Sequence, residues 1–148
     1  MLGGCGVQSV VSAAGSAEKP GAAVPLRVVY ESEGDDRPVV FVDVTGASDE
    51  ELDRVIDDLA AELDVEVLPG ETAVRSDPEL PALTPIDPET GRVGISLTLE
   101  SMTGVDQDRY EATVLYARSG LDGGYLKLVL EREAGEWVVT DVVPGPRS

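Results

Sequence analysis

The chain has 148 residues, near the commonest size of a single domain and enough to bury a real core. Its 29 Asp and Glu against 11 Lys and Arg give a formal net charge of −18, so it lacks the basic patches that neutralise phosphate and is a poor partner for nucleic acid or anionic headgroups. With 42% hydrophobic but only 4% aromatic residues, a core must be built from Val, Leu and Ala, and no stretch approaches the roughly 20 apolar residues of a membrane-spanning helix.

The first distinctive stretch is Leu2-Gly3-Gly4-Cys5, which holds the only cysteine. It resembles the box that ends a bacterial lipoprotein signal: leucine, small residues, then a cysteine before which a peptidase cuts and whose sulfur takes diacylglycerol. The resemblance implies that Cys5 is lipidated and that the protein contacts the membrane through this lipid alone, on the outer face of a membrane in the cell envelope. The residues after it, Gly6 to Gly21, are small, polar and punctuated by Gly and Pro, the composition of a flexible tether. Residues 1–23 are therefore read as box and tether, and 24–148 as one domain. A signal peptide also needs a basic and then an apolar segment of roughly 7–15 residues, and Met1 to Gly4 is too short to hold them. The lipoprotein reading expects such a segment ahead of Met1; if Met1 is the true start, Cys5 is a cytoplasmic thiol in a frayed terminus.

Leu26-Arg27-Val28-Val29-Tyr30 predicts a strand, and Glu31 to Arg37 a polar turn. Pro38-Val39-Val40-Phe41-Val42-Asp43-Val44 predicts a second strand, opened by a proline where a missing N–H is tolerated. Its almost unbroken apolar run implies burial on both faces and an inner position. After the turn Thr45-Gly46-Ala47, Ser48-Asp49-Glu50-Glu51 has the spacing of a capping box. Leu52, Val55, Ile56, Leu59, Ala60 and Leu63 then form one apolar helical stripe that should pack on the sheet with Trp137. The opposite face carries Asp49, Glu50, Asp53, Asp57, Asp58 and Glu62, a solvated exterior that could also dock a basic partner. Val65 to Leu68 predicts a short strand closing at Pro69-Gly70. Four prolines from Pro78 to Pro88 exclude a helix interior or central strand there, leaving an extended loop that covers a sheet edge or merely links.

From Val93 the pattern is β throughout: alternating Val93, Ile95, Leu97 and Leu99; Tyr110 to Ser119; a turn at Gly120 to Gly124; Tyr125 to Glu133; a turn at Ala134-Gly135; and Glu136 to Val143. Short turns make neighbours antiparallel. The expected class is α+β: one amphipathic helix packed on a curved, mainly antiparallel sheet that ends in a four-stranded meander. The runs Tyr116-Ala117-Arg118-Ser119-Gly120-Leu121-Asp122-Gly123-Gly124-Tyr125 and Leu130-Glu131-Arg132-Glu133-Ala134-Gly135-Glu136-Trp137-Val138-Val139 are similar to the terminal hairpins of uncharacterised secreted bacterial proteins with cystatin-like or NTF2-like domains. That resemblance implies a helix-on-sheet shape and no particular activity.

Histidine is absent, so there is no His general base, no His ligand and no Ser-His-Asp or Cys-His arrangement. One cysteine makes neither a disulfide nor a thiolate zinc site. Ser16-Ala17-Glu18-Lys19 has Ser-x-x-Lys spelling but lies in the tether without partner motifs. Asp106 and Asp108 flank Gln107 in a loop that could offer oxygens to calcium, but the EF-hand spacing is missing. No catalytic set, metal site or cofactor is read. The expectation is a non-enzymatic, envelope-tethered binding or structural module, the alternative an acidic soluble inhibitor or immunity-type protein that masks a basic partner.

Overall fold

Val39–Val44 forms strand β1, and Val39, Val40, Phe41 and Val42 are all fully buried. A strand apolar on both faces needs a cover on each. The computed structural model describes residues 19–75 and 77–145. In chain order the elements are α1 (Ala23–Glu33), β1, α2 (Asp49–Glu62), β2 (Glu66–Pro69), a 3-10 turn (Gly70–Thr72), β3 (Gly94–Asp106), β4 (Arg109–Ser119), β5 (Asp122–Glu133) and β6 (Glu136–Pro144). The six strands form one mixed sheet in the order β2-β1-β3-β4-β5-β6. β1 runs parallel to β2 and β3, whereas β3, β4, β5 and β6 pair antiparallel in succession. The class is α+β, with two helices where one was expected.

The additional helix is α1, and it contains the run Leu26–Tyr30 that reads as a strand. A five-residue apolar run does not distinguish helix from buried strand by periodicity. Tertiary packing decides here: Leu26 and Val29, one helical turn apart, are fully buried against the sheet, and Pro25 sits in the first turn, where the missing N–H has no intrahelical partner to lose. The C-terminal end of α1 is pinned by guanidinium groups. Arg118 Nη1 donates to the Glu33 carbonyl at 2.6 Å, and Arg37 Nη1 donates to the Gly94 and Arg118 carbonyls, both at 2.8 Å. Asp122 accepts from Arg118 at 2.9 and 3.0 Å, and that hydrogen bonding raises the Arg118 pKa above its ordinary value.

α2 begins as its sequence dictates. Ser48 Oγ accepts from the Glu51 N–H and a Glu51 carboxylate oxygen accepts from the Ser48 N–H, each at 3.1 Å. These bonds hold the Glu51 carboxyl below the usual glutamate range. A lowered folded pKa means that this contribution is present above the unfolded pKa and is lost as pH falls through the folded one. Of the apolar stripe, Leu59 and Leu63 are buried and Leu52, Val55 and Ile56 half-buried, whereas Ala60 faces solvent. Leu59 and Leu63 join Val40, Val42, Val67, Ile95 and Leu97 in one core between the helices and the sheet. Trp137 packs at the margin of this core, edge-to-face with Tyr110 at 5.3 Å between ring centroids.

The proline-rich stretch is more than a linker, since it packs against the start of β3. Ile86 bridges to both Val74 and Val93, and the Gly94 N–H donates to the Pro85 carbonyl at 2.9 Å. Thr84, Ile86 and Asp87 are buried as a result. Asp87 organises its own turn by accepting from the Glu89 N–H and the Thr90 hydroxyl at 3.0 and 2.9 Å. The glycines read as a turn after Gly120 also resolve differently: β4 runs to Ser119 and β5 starts at Asp122, so Gly123 is a strand residue paired with Ala117. A Cβ at 123 would collide with the Tyr116 carbonyl, so glycine here serves close strand approach.

Leu59→Ala should destabilise the protein by about 2–5 kcal/mol, the range for emptying a fully buried leucine site, whereas Ala60→Glu should change stability by no more than about 0.5 kcal/mol. Urea unfolding of both variants checks the orientation of α2.

Candidate functional site

Cys5 lies outside the described residues. Asp106 and Asp108 do meet, in the two-residue turn between β3 and β4, and their geometry serves the hairpin. Asp106 accepts from the Asp108 N–H at 2.8 Å. Arg132 reaches across from β5 to place Nε 3.6 Å from the Asp108 carboxylate and to donate from Nη2 to the Gln107 carbonyl at 3.0 Å. A guanidinium already occupies the space beside the carboxylate, which opposes a second cation there. Among the described residues no group of three or more acidic or cysteine side chains is arranged to hold a metal ion.

Two grooves border α2 near the start of α1. The first, of about 390 Å³, opens where β1 passes through Thr45-Gly46-Ala47 into α2; Leu99 and Met102 lie among its apolar lining, and Lys19, Glu51, Arg54, Asp58 and Glu100 among its charged rim. A second groove, of about 550 Å³, lies between α1, α2 and the start of β6 and is lined by Ala23, Val24, Arg27, Asp58, Ala61, Glu62, Glu136 and Trp137. Gly21 and Asp58 line both, so the two meet at that point. The α2 carboxylates are legible in the sequence, but their setting is not, because it depends on Ala23 to Arg27 being helical where local pattern favours a tether and a strand.

Charge is distributed unevenly around these grooves. On α2, Asp49, Glu50, Asp53, Asp57, Asp58 and Glu62 are all exposed. Among the described residues, Glu62 is the one α2 carboxylate within ion-pair distance of a cation, Arg27 at 3.3 Å. Elsewhere the arginines are committed to the sheet: Arg37 and Arg118 bind backbone carbonyls, Arg75 donates to Ser96 at 2.8 Å, and Arg92 pairs with Glu66 at 2.6 Å. The arrangement can attract and hold cationic groups.

A separate polar cluster sits on the loop-covered face. Asp43, at the end of β1, lies so close to Gly70 that a Cβ there would overlap its carboxylate. Asp43 is exposed, but local desolvation raises its pKa, and the nearby Arg75 offsets the rise only in part. No sequence signal marked this site, since it depends on the crossing of the loop over β1.

No family model, no curated protein and no solved structure matches this chain.

Two predictions follow from these geometries. Because Arg132 already sits beside Asp108, melting temperatures in calcium chloride and in sodium chloride of matched ionic strength should coincide; a calcium-specific rise lost on Asp106→Ala would contradict this. For Asp43, a raised folded pKa gives a contribution that is full below the unfolded pKa, near 3.9 for aspartate, and is lost as pH rises through the folded value. Asp43→Asn should therefore melt higher than the parent at pH 7, and the difference should vanish in acid.

Proposed function

We propose that this protein is a non-enzymatic binding module, tethered to the cell envelope by a lipid on Cys5, that engages a basic protein partner along the α2 side of the molecule. The supporting observation is the separation of charge. Most of the arginines bond within the sheet, and the carboxylates of α2 project into solvent beside two grooves where they outnumber the nearby cations: Arg27 pairs with Glu62, and Lys19 and Arg54 stand in the rim of the first groove. Such a field raises the encounter rate with a positively charged partner and repels anionic ones, and it acts within the Debye length of about 8–10 Å at ordinary ionic strength. The tether enters the domain at Lys19 to Ala22, residues that line the first groove, so a membrane anchor would hold this side close to the surface that bears the lipid. A soluble acidic inhibitor would use the same face without the anchor.

The anchor is tested by detergent phase partitioning and intact mass of the protein from its native host: acylated mass at Cys5 and detergent partitioning lost on Cys5→Ser are expected, whereas a free thiol selects the soluble inhibitor. The face is tested by the association rate of an oligolysine probe at low salt. Asp53→Lys with Asp57→Lys should slow association at least threefold more than the equal charge change Glu79→Lys with Glu89→Lys in the loop; equal slowing would show a diffuse field and no docking face.

A further inference from the structure

β6 (Glu136–Pro144) is the last strand of the sheet, and among the described residues no strand lies beyond it. Its outer edge therefore turns main-chain N–H and C=O groups away from β5, and Thr140 to Pro144 are all exposed. The opposite edge is different in kind: β2 has four residues, ends on Pro69 and passes at once into a 3-10 turn. Proteins commonly guard a long edge with charged side chains, a β-bulge, proline or a covering segment. β6 has no Lys or Arg and its proline stands at its end; its guards are an irregularity at Thr140 and the acidic Glu136 and Asp141, which repel an acidic strand and leave a basic one favoured, and beyond Asp141 Val142 and Val143 are 38% and 49% exposed.

The face of β6 that looks toward the helices opens onto the groove of about 550 Å³ between α1 and α2. A strand laid beside β6, about 4.8 Å away, would bring a side chain to that groove at the Glu136–Trp137 end, the part of β6 that lines it. Trp137 and Val24 supply apolar surface for a methylene stem. Of the carboxylates there, Glu62 is engaged by Arg27 at 3.3 Å, while Asp58 and Glu136 have no cation within ion-pair distance among the described residues. A second copy of this chain fits poorly as the occupant, since pairing two β6 strands would oppose two acidic edges on molecules of net charge −18 each.

We infer that β6 is a docking edge that accepts an extended, basic segment of a partner protein as a seventh strand, with a Lys or Arg side chain lying across the groove toward Asp58 and Glu136. Main-chain pairing supplies the affinity and the groove supplies the choice of side chain, the division of labour of strand addition. The inference rests on the basic-partner reading above and adds the place and manner of binding.

The test titrates the full chain with an eight-residue peptide of alternating Lys and Thr, followed by calorimetry and by backbone amide shifts. A second peptide, N-methylated at every other residue on its pairing edge, keeps the charge and loses the hydrogen bonds. Expected are shifts centred on β6 and the groove residues, and at least a tenfold weaker affinity for the methylated peptide. Val143→Lys, and separately Asp58→Asn with Glu136→Gln, should weaken the unmethylated peptide at least tenfold without altering the far-ultraviolet circular dichroism. Equal affinity for both peptides, or shifts confined to the solvent face of α2, would overturn the docking edge and leave the basic-partner reading intact. Absence of binding at millimolar peptide would overturn both. Sedimentation showing a dimer abolished by Val143→Lys would assign the edge to a second copy instead.

Discussion

Burial of β1 on both faces is the constraint on which the rest of this structure depends. Val40 and Val42 point into the core shared with α1 and α2, while Val39 and Phe41 point the other way. Neither set can be left in water at about 1.5–3 kcal/mol per large apolar side chain. The helices satisfy one set; Val39 and Phe41 are fully buried on the other face, beside the start of β3, where Ile86 bridges Val74 and Val93 and Pro85 accepts from Gly94. β1 runs parallel to both of its neighbours, and such pairing needs crossover connections, here through α2 to β2 and through the 3-10 turn and proline-rich stretch to β3.

With β1 fixed, the cations acquire their places. At the junction of α1 with the sheet, Arg37 and Arg118 donate to three backbone carbonyls, those of Gly94, Arg118 and Glu33. Arg37 is held in partly buried surroundings that lower its pKa, Asp35 and Asp122 opposing the shift. A chain with 11 basic residues that commits several to internal bonding has few left to screen 29 acids. The acidic field along α2 is thus partly a consequence of how the fold spends its arginines, and it coincides with the grooves that α1 and α2 form together.

What could be read from the sequence divides along a physical line. Features set by neighbours in the chain were legible: the Ser48–Glu51 capping box, the inner strand at Val39 to Val44, the Leu59–Leu63 stripe and the short β2 all stand where local pattern put them. Features set by contacts distant in the chain were not. Leu26 to Tyr30 carries β-branched residues that favour a strand, and only packing against the sheet makes it helical. Gly123 looks like turn chemistry until the Tyr116 carbonyl is placed against it. The four prolines mark a loop that covers a sheet edge or links, but nothing local singles out Thr84 to Asp87 as its buried part. The same division holds for the site: the α2 carboxylates were visible, whereas the groove with Trp137, the exposed edge of β6 and the Asp43–Arg75 cluster all required the tertiary fold.

Native-state hydrogen exchange of backbone amides tests the central role of β1 most directly, because it reports opening free energies strand by strand. The amides of Val40, Val42, Ile95 and Leu97 that pair within the β2-β1-β3 ladders should exchange only through global unfolding, with opening free energies equal to the stability measured by urea. Amides on the outer edge of β6 should exchange at nearly unprotected rates. Exchange at Val40 and Val42 through a partial opening well below the global free energy, with β4 and β5 still protected, would contradict the account by showing that the sheet stands without its doubly covered strand.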